Sequence, residues 1–215
     1  MDKSMTTILM VLMNFLLYGH GNDFKLRNGD LIFQESRSGG VSEAIKGVTG
    51  GIEGYHFTHV GMVYIDPHNT VYVIEATPPR VKITPLQEFL YPDAERKAPP
   101  HSVVGRLKDR YRCCIPKAIK KGLSLVGKAY DEVYDLNNDS YYCSELIYFM
   151  LLEANHGKPV FQLNKMTFKA AETDSILPMW QTYFEKRGVA VPEGEPGINP
   201  GAMSRSEVIY IVHHY

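Results

Sequence analysis

The chain reads as a single α+β domain whose helices pack on a meandering, mostly antiparallel sheet. Three observations predict this. His59 to Ile65 and Val71 to Ala76 are strand-like runs separated by the turn residues Asp66-Pro67-His68-Asn69, which is the pattern of a β-hairpin. Two later segments repeat apolar residues with helical spacing: Ile115, Ala118, Ile119, Gly122, Leu123 and Val126, then Cys143, Ile147, Met150, Leu151 and Ala154. No internal repeat, low-complexity tract or long linker divides residues 22–215.

The remaining elements follow in order. Asp30 to Gln34 is a short strand after an Asn28-Gly29 turn, and Ser42 to Val48 is a short helix with Ser42 as its cap, stopped by Thr49-Gly50-Gly51. Val81 to Ile83 gives a strand, Pro85 opens a helical stretch to Leu90, and Val103 to Leu107 gives another strand. The first periodic helix spans 115–126, and the second runs from 143 to the Asn155-His156-Gly157 stop. Trp180 to Phe184 ends a further helix, a Pro/Gly-rich loop spans 192–201, and Val208 to Val212 is a final strand.

Composition narrows the function. Hydrophobic residues at 44% and charged residues at 22% are globular values, and 215 residues bury a core without disulfides or metals. A formal charge of -1 with interspersed signs leaves no basic stripe, which argues against a nucleic-acid partner. Lys3 and the apolar run from Thr6 to Leu17, followed by Gly19-His20-Gly21, read as a signal peptide over residues 1–21. The run is short for a membrane span and Asn14 interrupts it, so the expectation is an exported protein, periplasmic or extracellular, with no stable span in the mature chain. A membrane anchor or a core helix is the alternative for this segment.

Three cysteines leave at least one free thiol. Cys113 and Cys114 are adjacent at the entry of the first periodic helix and read as structural, and no metal-ligand motif occurs, so no metal or cofactor is expected. Cys143 is different. It stands where a polar turn, Asn137 to Ser140, passes through Tyr141-Tyr142 into a helix. Unpaired N–H groups and the positive end of the helix dipole stabilise a thiolate at such a position. A cysteine there is either a nucleophile or a small buried hydrophobe.

The hairpin supplies possible partners. Pairing Ile65 with Val71 brings Gly61 opposite Glu75, so His59 and Glu75 share one sheet face. A carboxylate beside an imidazole fixes its tautomer and raises its basicity. A polar pair at a solvated sheet edge is the plainer reading of the same spacing. His56 is a rival base three residues earlier, and the other histidines fall in turns or at the terminus.

Five stretches then occur in a telling order: Gly29-Asp30-Leu31-Ile32-Phe33, His59-Val60-Gly61-Met62-Val63, Ile74-Glu75-Ala76-Thr77, Gly127-Lys128-Ala129-Tyr130-Asp131 and Tyr142-Cys143-Ser144-Glu145-Leu146. Together, and with the tail from Val191 to Gly201, they resemble the YiiX-like permuted branch of the NlpC-type papain-like superfamily, from about residue 28 to the end. The resemblance implies a circularly permuted papain-like fold in which the histidine strand precedes the cysteine helix. It implies Cys143 as nucleophile, His59 as general base and Glu75 as the group orienting His59. Tyr142 would contribute to an oxyanion site with the Cys143 amide, and Tyr130 with Asp131 would line or brace the cleft. The expected activity is a thiol amidase or peptidase acting on a small amide, peptide or lipid-conjugate substrate. A lipid-directed acyltransferase or thioesterase, or a binding module without turnover, are the alternatives.

Overall fold

A computed structural model describes residues 24–35, 40–92, 101–170 and 174–215. The predicted export segment, 1–21, lies outside the described residues. The chain forms strand β1 (Leu31–Gln34), helix α1 (Gly40–Val48), strands β2 (His59–Ile65), β3 (Val71–Thr77) and β4 (Arg80–Pro85), helix α2 (Leu86–Leu90) and strand β5 (Ser102–Leu107). Helices α3 (Ile115–Ser124) and α4 (Cys143–Ala154) follow. The tail contains β6 (Asn164–Lys165), α5 (Pro178–Glu185), β7 (Pro196–Gly197), α6 (Pro200–Ser204) and β8 (Ile209–His214).

Six strands form one antiparallel sheet in the order β4-β3-β2-β1-β5-β8. The hairpin has the expected register, with Ile65 opposite Val71 and Met62 opposite Ile74. The same register carries on into β4, where Lys82 stands opposite Glu75. Side-chain alternation then sorts each strand between two apolar faces. Leu31, Phe33, Val60, Met62, Ile74, Ala76 and Val103 face α3 and α4, whereas Ile32, Val63, Val73 and Val104 pack with Phe89 and Leu90 at the end of β4–α2. Both faces are therefore covered, and the sheet is the middle of the molecule.

The two periodic helices supply the larger face. Leu146, Ile147, Met150 and Leu151 of α4 are fully buried, each worth about 1.5–3 kcal/mol of removed apolar surface. α3 lies close against α4 at Gly122, where a Cβ would stand 2.6 Å from Met150 Cε. Gly61 is another close approach: a Cβ there would meet Val73 Cγ1 and come within 3.1 Å of Phe89. A second aromatic cluster gathers Trp180 and Phe184 of α5, Phe168 and Tyr134 beside the main core.

Several expected boundaries move. α1 begins at Gly40, so Ser42 lies inside the helix and is not its cap. α3 ends at Ser124, because the chain turns at Leu125 and enters Gly127 with φ +93°. The final strand runs on to His214, placing His213 in the sheet with its ring stacked on Phe24 at 4.2 Å, not in a solvated tail. The Pro/Gly-rich loop contains β7 and enters α6, whose first turn is capped by Asn199 Oδ1 accepting the Ala202 N–H at 2.7 Å. Among the described residues no helix is long and apolar enough to cross a membrane.

Candidate active site

Cys143 is the first residue of α4, as the sequence predicts, and is 6% exposed. Three polar bonds fix the chain around it. Glu145, in the third helical position, reaches back so that its Oε2 accepts the Tyr142 N–H at 3.0 Å, the carboxyl half of a capping box. The Tyr142 hydroxyl accepts the Ile198 N–H at 3.1 Å, and Ser144 Oγ donates to the Ile198 carbonyl at 2.9 Å. Both polar groups of Ile198 are thus clamped to the helix start, which binds the tail of the chain to the wall beside the thiol.

His59 is the first residue of β2. Its Nε2 lies 2.6 Å from Glu75 Oε2, and Cys143 lies close enough to act on the ring electrostatically. With Nε2 committed to Glu75, Nδ1 is the nitrogen left to face the sulfur. The ring packs against Phe89 at 5.5 Å, and its side chain is 19% exposed. Glu75 is 5% exposed and is itself held: the Thr84 hydroxyl donates to Oε1, and Lys82 Nζ lies 3.5 Å from the same oxygen. Thr84 and Lys82 come from the next strand, so three neighbouring strands position one imidazole.

The electrostatics follow from these contacts. Burial opposes a charged imidazole, yet the interactions with Cys143 and Glu75 outweigh it. Together they push the His59 pKa up to about 10. Burial likewise works against ionised Glu75, but the His59 bond and charge, the Thr84 hydroxyl and Lys82 hold its carboxyl below the usual range. The contacts thus favour a charged imidazole beside an ionised Glu75. His56, the rival base, is exposed and directed elsewhere: its Nδ1 sits 3.1 Å from the Lys46 carbonyl and 3.0 Å from that of Thr49, at the end of α1.

Two cavities that share part of their lining flank the site, one at Cys143 and the other at His59. One, of about 290 Å³, contains Cys143, Tyr142, Tyr130, Tyr134, Phe168, Trp180 and Ile198 in its walls and is mainly apolar. The other, of about 800 Å³, contains His59 and Glu75 with Lys82, Glu88, Glu132 and Arg187. Thr58, Ile45, Tyr130 and Tyr134 border both. Asp131 braces the loop below: it is buried, and its carboxylate accepts the N–H groups of Val133 and Asp135 at 2.8 and 2.7 Å. Burial drives the phenol pKa values of Tyr130, Tyr134 and Tyr142 upward, so all three hydroxyls keep their protons. No local sequence pattern marks Tyr134, which has a φ of +57°, packs edge-on to Tyr142 and Trp180 and lines both cavities.

Cys113 and Cys114 take no part. Cys114 is buried and its thiol donates to Asn155 Oδ1 at 3.6 Å, while Cys113 is exposed. They lie in a 3₁₀ turn, Asp109–Cys114, that leads into α3.

A six-stranded antiparallel sheet carrying a histidine–glutamate pair, set against a helix that begins at a cysteine, defines the class of permuted papain-like enzymes. Residues 25–213 match the model of a family described as permuted papain-like amidase enzyme, YaeF/YiiX, C92 family, and the chain belongs to that family. It is 31% identical over 178 residues to the uncharacterized protein YiiX of Escherichia coli K12, covering 82% of this chain and 81% of that protein. The fold is similar to a crystal structure described as metalloprotein yiiX from Escherichia coli O157:H7, with a TM-score of 0.69 and 26% identity over 89% of this chain and 99% of that one. Among the described residues of this chain no group of three or more His, Cys, Asp or Glu is placed to hold a metal ion. Nε2 of His59 is engaged with Glu75.

Proposed function

We propose that this chain is a thiol amidase or peptidase that cleaves an amide bond in a small amino-acid- or peptide-containing substrate through Cys143, His59 and Glu75. The observation that carries the reading is the 2.6 Å bond of His59 to Glu75, with Cys143 at a helix N-terminus near enough to favour the charged form of the same ring. In the reaction the Cys143 thiolate attacks the amide carbonyl, and the Cys143 N–H with the Tyr142 hydroxyl stabilises the oxyanion. Imidazolium His59 gives its proton to the departing amine as the C–N bond breaks, leaving a thioester. Neutral His59 then takes a proton from water, the hydroxide attacks the thioester, and the acid leaves as the thiolate and imidazolium are restored. Glu75 keeps the imidazole oriented throughout.

The two cavities support an orientation for the substrate. The carbonyl side of the scissile bond lies with the nucleophile, in the small aromatic cavity, and the amine lies on the histidine side, among charged residues. At about 290 Å³ the first cavity is at the small end for ligand sites, which suits a short acyl group or a single side chain. Its apolar walls also favour one second reading, an acyltransferase or thioesterase acting on a lipid-linked acyl group. Action outside the cytoplasm, after removal of residues 1–21, fits either reading.

A substrate screen tests the proposal. Purified protein is incubated with cell-wall peptides, N-acyl amino acids and phospholipids, with Cys143→Ala as control, and products are read by mass spectrometry. Release of an amine from an amide by the native protein and not by the variant is expected. Turnover of oxygen esters alone would favour the lipid reading, and turnover that survives Cys143→Ala would overturn both.

A further inference from the structure

Glu145 is a buried carboxyl that the reaction above does not use. It is 0% exposed, two residues beyond the nucleophile on the same helix turn. One oxygen accepts the Tyr142 N–H, while Oε1 is buried without a hydrogen-bond partner. Among the described residues it makes no ion pair. The titratable groups that act on it are Asp131 and Asp135 from the loop before α4, the Tyr142 phenol at the helix entry and Cys143 from its own helix. Asp131 is already engaged with two backbone N–H groups of its own loop.

A carboxylate here would have one backbone N–H and the positive end of the α4 dipole to offset it, but no cation beside it and two aspartates nearby, which leaves it a costly buried charge. A carboxylic acid fits them better: it still accepts the backbone N–H through one oxygen and carries no charge toward the thiolate. We propose that Glu145 is a positioning residue that works as a neutral acid, holding the Tyr142–Cys143 backbone in place without opposing the negative charge that develops at the sulfur and the oxyanion. This rests on the thiol reading of the site. Burial, with the nearby Asp131, Asp135 and Cys143, pushes its carboxyl up to about 8 against the lowering effect of the Tyr142 N–H. The acid is therefore neutral at pH 7 and ionises in mildly alkaline solution, well before His59 gives up its proton near 10.

The consequence is a fall in acylation that glutamine removes. Between pH 7 and 9 the neutral fraction of a group titrating near 8 drops about tenfold, while His59 stays mostly protonated. The probe is p-nitrophenyl acetate, with acetylation of Cys143 followed as the nitrophenolate burst and confirmed by peptide mass. The ratio of the rate at pH 9 to that at pH 7 is taken for the native protein, Glu145→Gln and Glu145→Ala, each corrected for the Cys143→Ala background. The native rate is expected to fall about tenfold. Glu145→Gln, which keeps an oxygen for the Tyr142 N–H, is expected to change less than threefold across the range. Glu145→Ala is expected to lack the fall and to react more slowly than Glu145→Gln at both pH values. Superimposable native and Glu145→Gln profiles would overturn the proposal while leaving Cys143 as nucleophile. Absence of any acetylation at Cys143 would overturn the thiol reading itself. Carbon-13 NMR of the glutamate carboxyls in the native protein then decides the neutral-acid assignment separately, and also covers a glutamine variant that fails to fold. One carboxyl titrating near 8 supports the assignment, and none titrating above 7 overturns it.

Discussion

Replacing Glu75 with glutamine isolates what the carboxylate does for His59. The 2.6 Å contact from Nε2 to Oε2 is a charge-assisted hydrogen bond, and such bonds are worth about 1.5–3 kcal/mol. Glutamine still offers an oxygen to Nε2 and to the Thr84 hydroxyl but carries no charge. At about 1.4 kcal/mol per pKa unit, loss of the charge lowers the His59 pKa by about 1–2 units. His59, which titrates at about 10 in the native protein, should therefore titrate nearer 8–9 in Glu75→Gln. The ring stays protonated at pH 7 in both, so the difference shows on the alkaline limb, where imidazolium is lost earlier in the variant. Nitrogen-detected NMR of the imidazole follows the titration directly. A His59 that titrates at the same pH in both proteins, or near 6.5 in the native one, would refute the reasoning that the carboxylate and the sulfur together hold it charged.

Other outcomes follow from the same contacts. Because the folded pKa of His59 is raised, its stabilising contribution is fully present below about 6.5 and is lost as pH rises through about 10. The stability difference between native and His59→Gln, from urea titrations, should shrink by a few kcal/mol over that range. Glu75 has the opposite sign, contributing above the ordinary 4.5 and losing the contribution as pH falls through its lowered value. Asp30→Asn should cost about 1.5–3 kcal/mol in denaturant titration, because buried Asp30 holds the half-buried Arg106 through Nε at 2.7 Å and a second nitrogen at 2.8 Å, tying the residue before β1 to β5. Gly61→Val should lower stability by about 1–3 kcal/mol or more, since any side chain there enters Val73 and Phe89; an unchanged melting temperature would contradict the close packing.

The sequence exposed the site unevenly. Cys143, His59 and Glu75 were legible because each sits on an element with a strong local signal: a helix start after a polar turn, and a hairpin whose turn fixes the register. Once Ile65 faces Val71, the row containing Glu75 is set, and the structure has that pairing. The resemblance supplied the link between hairpin and helix, which no local pattern contains. Tyr134 and Ile198 were not legible, because their roles depend on loops folding back over long separations. Tyr134 adopts an unusual backbone conformation for a tyrosine, and Ile198 is fixed only by side chains on α4. Glu145 carries no clear signal in the sequence. Its capping pattern was hidden by a tyrosine at the cap position where serine or threonine is usual. The Ser42 boundary failed for a related reason: a capping residue type is also tolerated inside a helix, and composition alone does not choose between the two.

The central claim is that Cys143 is a nucleophile activated by His59, and alkylation tests it most directly. Native protein and His59→Ala are treated with iodoacetamide at graded pH below 7, and the modified cysteines are mapped. Cys143 is 6% exposed whereas Cys113 is open to solvent, so accessibility alone favours Cys113. The account predicts that Cys143 nevertheless reacts first, faster than Cys113 and Cys114, and that His59→Ala abolishes this advantage. Faster modification of Cys113, or an unchanged Cys143 rate in His59→Ala, would contradict it.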